Sequence, residues 1–217
     1  MTYSVKELFL TIQGEGAQTG RAAVFCRFSG CNLWTGREED RADAICQFCD
    51  TDFVGVDGEG GGKFNTPEDL AQTINLAWAN GDPKHKYVVF TGGEPLLQLD
   101  KALIDALHAQ GFKIGIETNG TLRVPDGVDW VCISPKFGAE LIALQGDEIK
   151  LVIPQVGHHG KLIDILARFE KMSFAYHFLQ PMDGPNQKEN TELAIKLCQS
   201  RPLWRLSTQT HKFLGIR

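Results

Sequence analysis

From residue 65 onward, short runs of β-branched and aromatic residues alternate with longer segments whose apolar positions recur every three or four residues. "NTPEDLAQTINLAWANG" (65–81) opens with Thr66 as N-cap and Pro67 at the first helical position, carries acids in its first turn and closes on Gly81. This predicts a helix. "KYVVFT" (86–91) predicts a short buried strand. In "LLQLDKALIDALHAQG" (96–111) the apolar residues at 96, 99, 103, 104 and 107 form one stripe, which predicts a helix ending at Gly111. Strands are predicted at 112–118, 128–134, 148–154, 174–180 and 203–210, with helices at 159–171 and 190–200. Two earlier strands are predicted, at 7–12 and 22–29.

This βαβ alternation implies a mostly parallel sheet with right-handed crossovers. The crossovers between Thr118 and Val128, and between Ser134 and Glu148, are too short for a full helix. The fold class expected is therefore α/β, an incomplete TIM-like barrel with a reduced set of helices. No repeat or domain boundary interrupts the pattern, so residues 1–217 read as a single domain. The glycine-rich "VGVDGEGGGKFN" (54–65) reads as a mobile surface loop. Parallel α/β folds place their chemistry at the carboxyl ends of the strands. Those ends bring Thr91, Glu94, Glu117, Asn119, Ser134, Lys136, Gln180 and Asp183 to one rim, although such residues are also ordinary turn formers.

Composition narrows the partners. The chain carries a net charge of −5 with no block of like charge, which argues against a nucleic-acid surface and for a small-molecule partner. No apolar run is long enough to span a membrane and no signal-peptide pattern opens the chain, so a cytoplasmic protein is expected. Six cysteines then call for an explanation in a reducing compartment. Cys26, Cys132 and Cys198 lie in apolar contexts and read as ordinary buried thiols.

Cys31, Cys46 and Cys49 are different. Fourteen residues separate the first two and two separate the last pair. A structural zinc site needs a fourth ligand that the spacing does not supply. A Cys-x-x-Cys redox pair needs no third thiol. Three thiolates on an iron–sulfur cube leave one iron open, where an amine and a carboxylate can chelate. Spacing alone does not choose among these.

Longer motifs do. "LTIQGEG", "FCRFSGCNLW", "CDT", "FTGGEPLLQ", "IETNGT", "SPK", "QPMDG" and "QTHKFLGIR" occur in this order over nearly the whole chain. Together they resemble the radical S-adenosylmethionine enzymes, and within them the 7-carboxy-7-deazaguanine synthase family of queuosine biosynthesis. The resemblance departs at one place: the first two cysteines are usually three residues apart. Residues 32–45 are accordingly read as an inserted loop, polar enough to be a solvated excursion. Lengthening a loop costs only about 0.6 kcal/mol per doubling.

The resemblance implies that Cys31, Cys46 and Cys49 hold a [4Fe-4S] cluster whose open iron takes S-adenosylmethionine. It implies cofactor contacts from Phe48, Cys49, Asp50, Gly93 and Glu94, from Ser134, Pro135 and Lys136, and from Gln180, Pro181, Met182 and Asp183. Magnesium is assigned to Thr51. Ile12, Gln13, Gly14, Arg27 and Thr91 match substrate positions, and Arg27 is suited to a carboxylate because its fork binds in bidentate fashion. Glu15, Glu117, Asn119 and the terminal carboxylate at Arg217 are further substrate candidates. The implied reaction takes 6-carboxy-5,6,7,8-tetrahydropterin to 7-carboxy-7-deazaguanine with loss of ammonia, through a 5′-deoxyadenosyl radical and with the S-adenosylmethionine regenerated. The implied partners are a flavodoxin-like electron donor and a second copy of the chain. The alternatives are an activase that makes a glycyl radical on a partner protein and a non-catalytic zinc-binding protein.

Overall fold

The computed structural model describes residues 2–78, 81–155, 157 and 160–216. Nine strands form one open sheet in the order β3-β1-β2-β4-β5-β6-β7-β8-β9. They are β1 (Tyr3–Ile12), β2 (Ala22–Phe28), β3 (Gly62–Phe64), β4 (Tyr87–Gly92), β5 (Lys113–Thr118), β6 (Trp130–Ile133), β7 (Gly146–Ile153), β8 (Phe174–Pro181) and β9 (Trp204–Leu206). From β2 to β9 every neighbour pairs in parallel, whereas β1 pairs antiparallel with both β2 and β3. The helices are α1 (Pro67–Ala77), α2 (Lys101–Ala109), α3 (Leu162–Phe169), α4 (Gln187–Ser200) and α5 (Thr210–Leu214). No helix covers the β5–β6 or β6–β7 crossover, as their short lengths require. The result is the open, partly helix-covered α/β sheet that the sequence pattern implies. Among the described residues no helix is long and apolar enough to cross a membrane.

Period-two alternation sorts the strand side chains into two sets. One face carries Val24, Cys26, Phe28, Val88, Phe90, Ile114 and Ile116, all buried against Leu70 and Ile74 of α1 and Leu103, Ile104 and Leu107 of α2. Farther along, Ile149, Leu151, Ile153 and Leu179 pack with Leu166 of α3 and Ala194 and Leu197 of α4. The intervening positions, among them Phe25, Arg27, Thr91, Glu117, Lys150, Val152 and Gln180, point to the other face and line a cavity. Several strands that read as uniformly buried runs thus hide a polar inner face.

Four expectations shift. The helix predicted at 96–111 starts at Lys101, because the Asp100 carboxylate accepts from Leu103 N at 3.0 Å and caps it there. Ahead of it Pro95–Leu97 forms a single 3-10 turn. The strand predicted at 203–210 ends at Leu206, and residue 210 already begins α5. The helix predicted at 159–171 is α3, which begins at Leu162; residue 159 lies outside the described residues. The glycine-rich segment 54–65 is not a free loop. Gly58 N donates to Lys6 O (2.9 Å), Leu8 N donates to Glu59 O (2.7 Å), and β3 pairs with Tyr3–Val5. It covers the edge of β1, which would otherwise expose an unpaired ladder.

Candidate functional site

The inner face of the sheet encloses a cavity of about 500 Å³, within the range of small-molecule sites. Its floor is the strand positions named above. Its rim is the segment from Cys31 to Phe53 on one side and Gln209, His211 and Lys212 on the other.

Cys31, Cys46 and Cys49 all line this cavity. Cys31 leaves the end of β2 and is held by its loop: Leu33 N donates to its Sγ at 3.4 Å. Burial pushes the Cys31 thiol up, against the backbone donors Leu33 and Trp34. Cys46 and Cys49 are hydrogen-bonded to each other. The hydrogen bond from Cys46 holds the Cys49 thiol down at about 6, helped by Thr51 N and the charge of Lys136, while that same bond pushes Cys46 up. The three sulfurs are not among the groups whose ligand atoms all fall within 4.8 Å of one another. A zinc tetrahedron with bonds of 2.3 Å brings its sulfurs to about 3.8 Å. The three thiols nevertheless face one cavity, as ligands of a shared cluster must.

The "TGGEP" turn after β4 is fastened to the loop that bears Cys31. Glu94 N donates to Gly30 O at 3.0 Å. A side chain at Gly93 would sit 2.6 Å from Cys31 Cβ, so the glycine is there to let these two loops touch. Glu94 is fully buried and does not itself line the cavity. Its Oε1 accepts from Leu96 N (2.9 Å) and Thr118 Oγ1 (2.7 Å), and its Oε2 from Asn119 N (2.8 Å). Burial raises its pKa, although all three of these donors oppose the shift. The Asn119 amide is committed to the same framework, donating to Asn32 Oδ1 at 3.0 Å and accepting from Thr121.

A charged network forms the opposite wall. Lys150, buried on β7, donates to Glu15 Oε2 (2.6 Å) and Glu117 Oε2 (2.9 Å). Gln13 Nε2 donates to Glu117 Oε1 at 3.1 Å. Burial alone would raise Glu15, but the charge and hydrogen bond of Lys150, with His211 and Gln209, hold it at about 2. Burial likewise works against the Lys150 ammonium, and Cys132, Glu117, Glu15 and Glu148 together hold its pKa well above the ordinary value. Glu117, Cys132 and Glu148 are the one trio among the described residues close enough to share an ion. Burial raises both Cys132 and Glu148, and the Lys150 ammonium already supplies the cation there. Arg27 Nε donates to Glu7 Oε1 at 2.8 Å, across a directly paired position of the β1–β2 ladder. Its two terminal nitrogens have no protein partner among the described residues.

The C-terminal helix closes the cavity. Thr210 N donates to Gly14 O at 3.0 Å, and a side chain at Gly14 would lie 2.8 Å from His211 N. Lys212 Nζ bridges Asp50 (2.7 Å) and Asp183 (2.5 Å), the residues after Cys49 and after β8.

The cavity therefore gathers Ile12, Gln13, Gly14, Glu15, Arg27, Phe48, Asp50, Thr51, Thr91, Gly93, Glu117, Asn119, Ser134, Lys136 and Gln180 with the three cysteines. Pro135 and Met182 contribute backbone to the framework: Pro135 O accepts from Gln155, and Met182 N donates to Ile153 O. Pro181 ends β8, and Asp183 sits beside Lys212. Arg217 lies outside the described residues. Sequence reasoning passed over Glu7, Lys150 and Lys212, and weighed His211 only as a remote zinc ligand. A lysine inside "EIKLVIP" was the available signal, since a charge in a buried strand needs a partner.

A family model described as the radical SAM superfamily matches residues 41–144. A curated 7-carboxy-7-deazaguanine synthase of Caulobacter vibrioides is 60% identical over 216 residues, covering all of both chains. One from Burkholderia multivorans is 58% identical over the same length, and one from Bacteroides thetaiotaomicron 39% over 217 residues. Among solved structures, QueE from Escherichia coli superposes with a TM-score of 0.71 at 30% identity, covering 97% of this chain and 95% of that one.

Proposed function

The chain belongs to the 7-carboxy-7-deazaguanine synthase family of radical S-adenosylmethionine enzymes, and from that premise we propose how its cavity divides the work. It converts 6-carboxy-5,6,7,8-tetrahydropterin to 7-carboxy-7-deazaguanine in the queuosine pathway. Substrate and product differ by one ammonia, so the conversion needs no net oxidant.

The observation that carries this reading is that three thiols and the Arg27 guanidinium line one continuous cavity. Cys31, Cys46 and Cys49 hold the [4Fe-4S] cluster. When bound, the cluster with S-adenosylmethionine supplies hydrogen-atom abstraction from the substrate. Phe48, Cys49 and Asp50 bind the adenine end of that cofactor. Ser134, Lys136 and Gln180 line its remaining length, with Pro135, Pro181, Met182 and Asp183 behind them. Glu94, expected to meet the cofactor directly, is fully buried behind the wall and serves the site instead by tying its own turn to Thr118 and Asn119. Gly93 lets its turn close onto the Cys31 loop at the cavity wall.

On the other wall Arg27 takes the substrate carboxylate with its terminal nitrogens, and Glu7 fixes the plane of the guanidinium. Lys150 keeps Glu15 ionised and also donates to Glu117, and the two side chains accept from the N–H edge of the aminopyrimidine ring. Gln13, Ile12, Gly14, Thr91 and Asn119 shape this end. The Thr51 hydroxyl is a neutral oxygen for Mg²⁺, which takes few protein ligands beside water and substrate oxygens. A flavodoxin-like donor and a homodimer complete the proposal.

Anaerobic isolation tests it. A brown chain with about four irons that yields the deazaguanine from the carboxylated pterin supports the reading. A colourless chain holding one zinc overturns it.

A further inference from the structure

Residues 32–45 do more than lengthen the path between two cysteines. Leu33 and Trp34 are buried, against the expectation of a solvated excursion, because their apolar side chains pack inward: Trp34 meets Phe53 edge-on at 5.6 Å. Leu33 O accepts from Cys46 N at 3.5 Å and closes the base of the loop. Trp34 Nε1 donates to Arg37 O at 3.1 Å, leading the chain into a 3-10 helix over Glu38–Asp43.

Arg41, on that helix, uses three faces at once. Its guanidinium lies 4.0 Å over the Trp34 ring. Its Nε and Nη2 form a two-pronged bond with Glu38, at 2.7 and 2.5 Å. Its Nη1 donates to Gln47 O at 2.9 Å and to Cys49 O at 3.0 Å. Gln47 returns the contact, donating from Nε2 to Ala42 O at 2.8 Å. The two carbonyls that Arg41 holds bracket Phe48. A trans peptide carries its C=O and N–H on opposite sides. Fixing these carbonyls therefore fixes the Phe48 and Asp50 N–H groups pointing away from Arg41.

We propose that Arg41 is a positioning residue: from within the inserted segment it clamps the Cys46–Cys49 turn, holding both thiols in place for the cluster and setting the Phe48–Asp50 backbone for the adenine of S-adenosylmethionine. Glu38 and the Trp34 ring orient the guanidinium, so the segment works as a brace. The proposal rests on the cofactor reading above for what the turn binds, but the clamp belongs to the metal-free chain.

The test compares Arg41→Met, which keeps the stem over Trp34 and removes every donor, with Arg41→Lys. In the metal-free chain R41M melts within a few degrees of the wild type, since a partly exposed pair contributes about 0–1 kcal/mol. Limited proteolysis between residues 42 and 50 becomes several times faster. In the reconstituted chain, iron is lost to a chelator about tenfold faster and S-adenosylmethionine binds about tenfold more weakly, as expected when the two charge-assisted bonds from Arg41 to the turn are lost. Affinity for the pterin is unchanged. R41K, with an ammonium that reaches the carbonyls, recovers most of the iron retention. Equal proteolysis, iron loss and cofactor affinity in R41M and wild type overturn the proposal, as does a melting temperature that collapses in R41M. If the wild-type chain takes up no iron, the cofactor reading fails, and the clamp is still decided by proteolysis of the metal-free chains.

Discussion

Lys150 Nζ lies 2.9 Å from Glu117 Oε2 and is 3% exposed, so the wall of the cavity is built around a buried ammonium shared by two carboxylates. Replacing it with methionine leaves Glu15 and Glu117 without a counter-charge in a largely buried wall. Lys150→Met is expected to lower the unfolding free energy by about 3–5 kcal/mol, read by urea denaturation of the metal-free protein. Adding Glu15→Gln should recover part of that loss. A single-variant change below about 1 kcal/mol contradicts the buried-pair account.

The same network sets an acid limit. Glu15 is held at about 2 in the folded chain against an ordinary 4.5. The unfolded chain therefore binds more protons between these values, and stability falls as pH drops through that window. Urea titrations from pH 5 to pH 2.5 should show the decline, and Glu15→Gln should flatten part of it. A Glu15→Gln curve parallel to that of the wild type contradicts this assignment.

Arg27→Ala removes the proposed carboxylate fork while leaving the cluster side of the cavity intact. Pterin affinity should fall about 10- to 100-fold, the worth of a charge-assisted pair, with S-adenosylmethionine affinity unchanged. Arg27→Lys should sit between, because a single ammonium cannot reproduce the fork. Calorimetric titration of both ligands separates the outcomes. Normal pterin binding in Arg27→Ala removes the residue from the substrate site.

Lys212 ties the C-terminal helix to Asp50 and Asp183 through a half-exposed pair. Lys212→Ala should change global stability by less than about 1 kcal/mol while speeding proteolysis after residue 208. If the tail is cleaved at the wild-type rate, the contact does not hold the rim closed.

Much of this was legible in the chain. Short β-branched and aromatic runs gave the strands, and the Thr66–Pro67 cap marks where one helix starts. Short crossovers announced where helices would be missing. The three thiols and the strand-end motifs named one site before any geometry was known.

What escaped depends on contacts between residues far apart in sequence. Nothing local in "EIKLVIP" says that Lys150 meets Glu15 across 135 positions, or that Lys212 reaches Asp50 across 162. Glu94 looked like a ligand-facing acid at a strand end, yet it staples Thr118 and Asn119 to its own loop. The inserted segment read as polar by composition. Its order comes from Trp34 and Arg41 folding onto each other, which a count of charges does not reveal.

The central claim is that one cavity holds cofactor and pterin together and returns the cofactor unchanged. The direct measurement is an anaerobic incubation with reductant, Mg²⁺, the carboxylated tetrahydropterin and a substoichiometric amount of S-adenosylmethionine. Ammonia and 7-carboxy-7-deazaguanine should appear in equal amounts, over many turnovers, with the S-adenosylmethionine recovered. Methionine and 5′-deoxyadenosine accumulating while the pterin stays intact would contradict it.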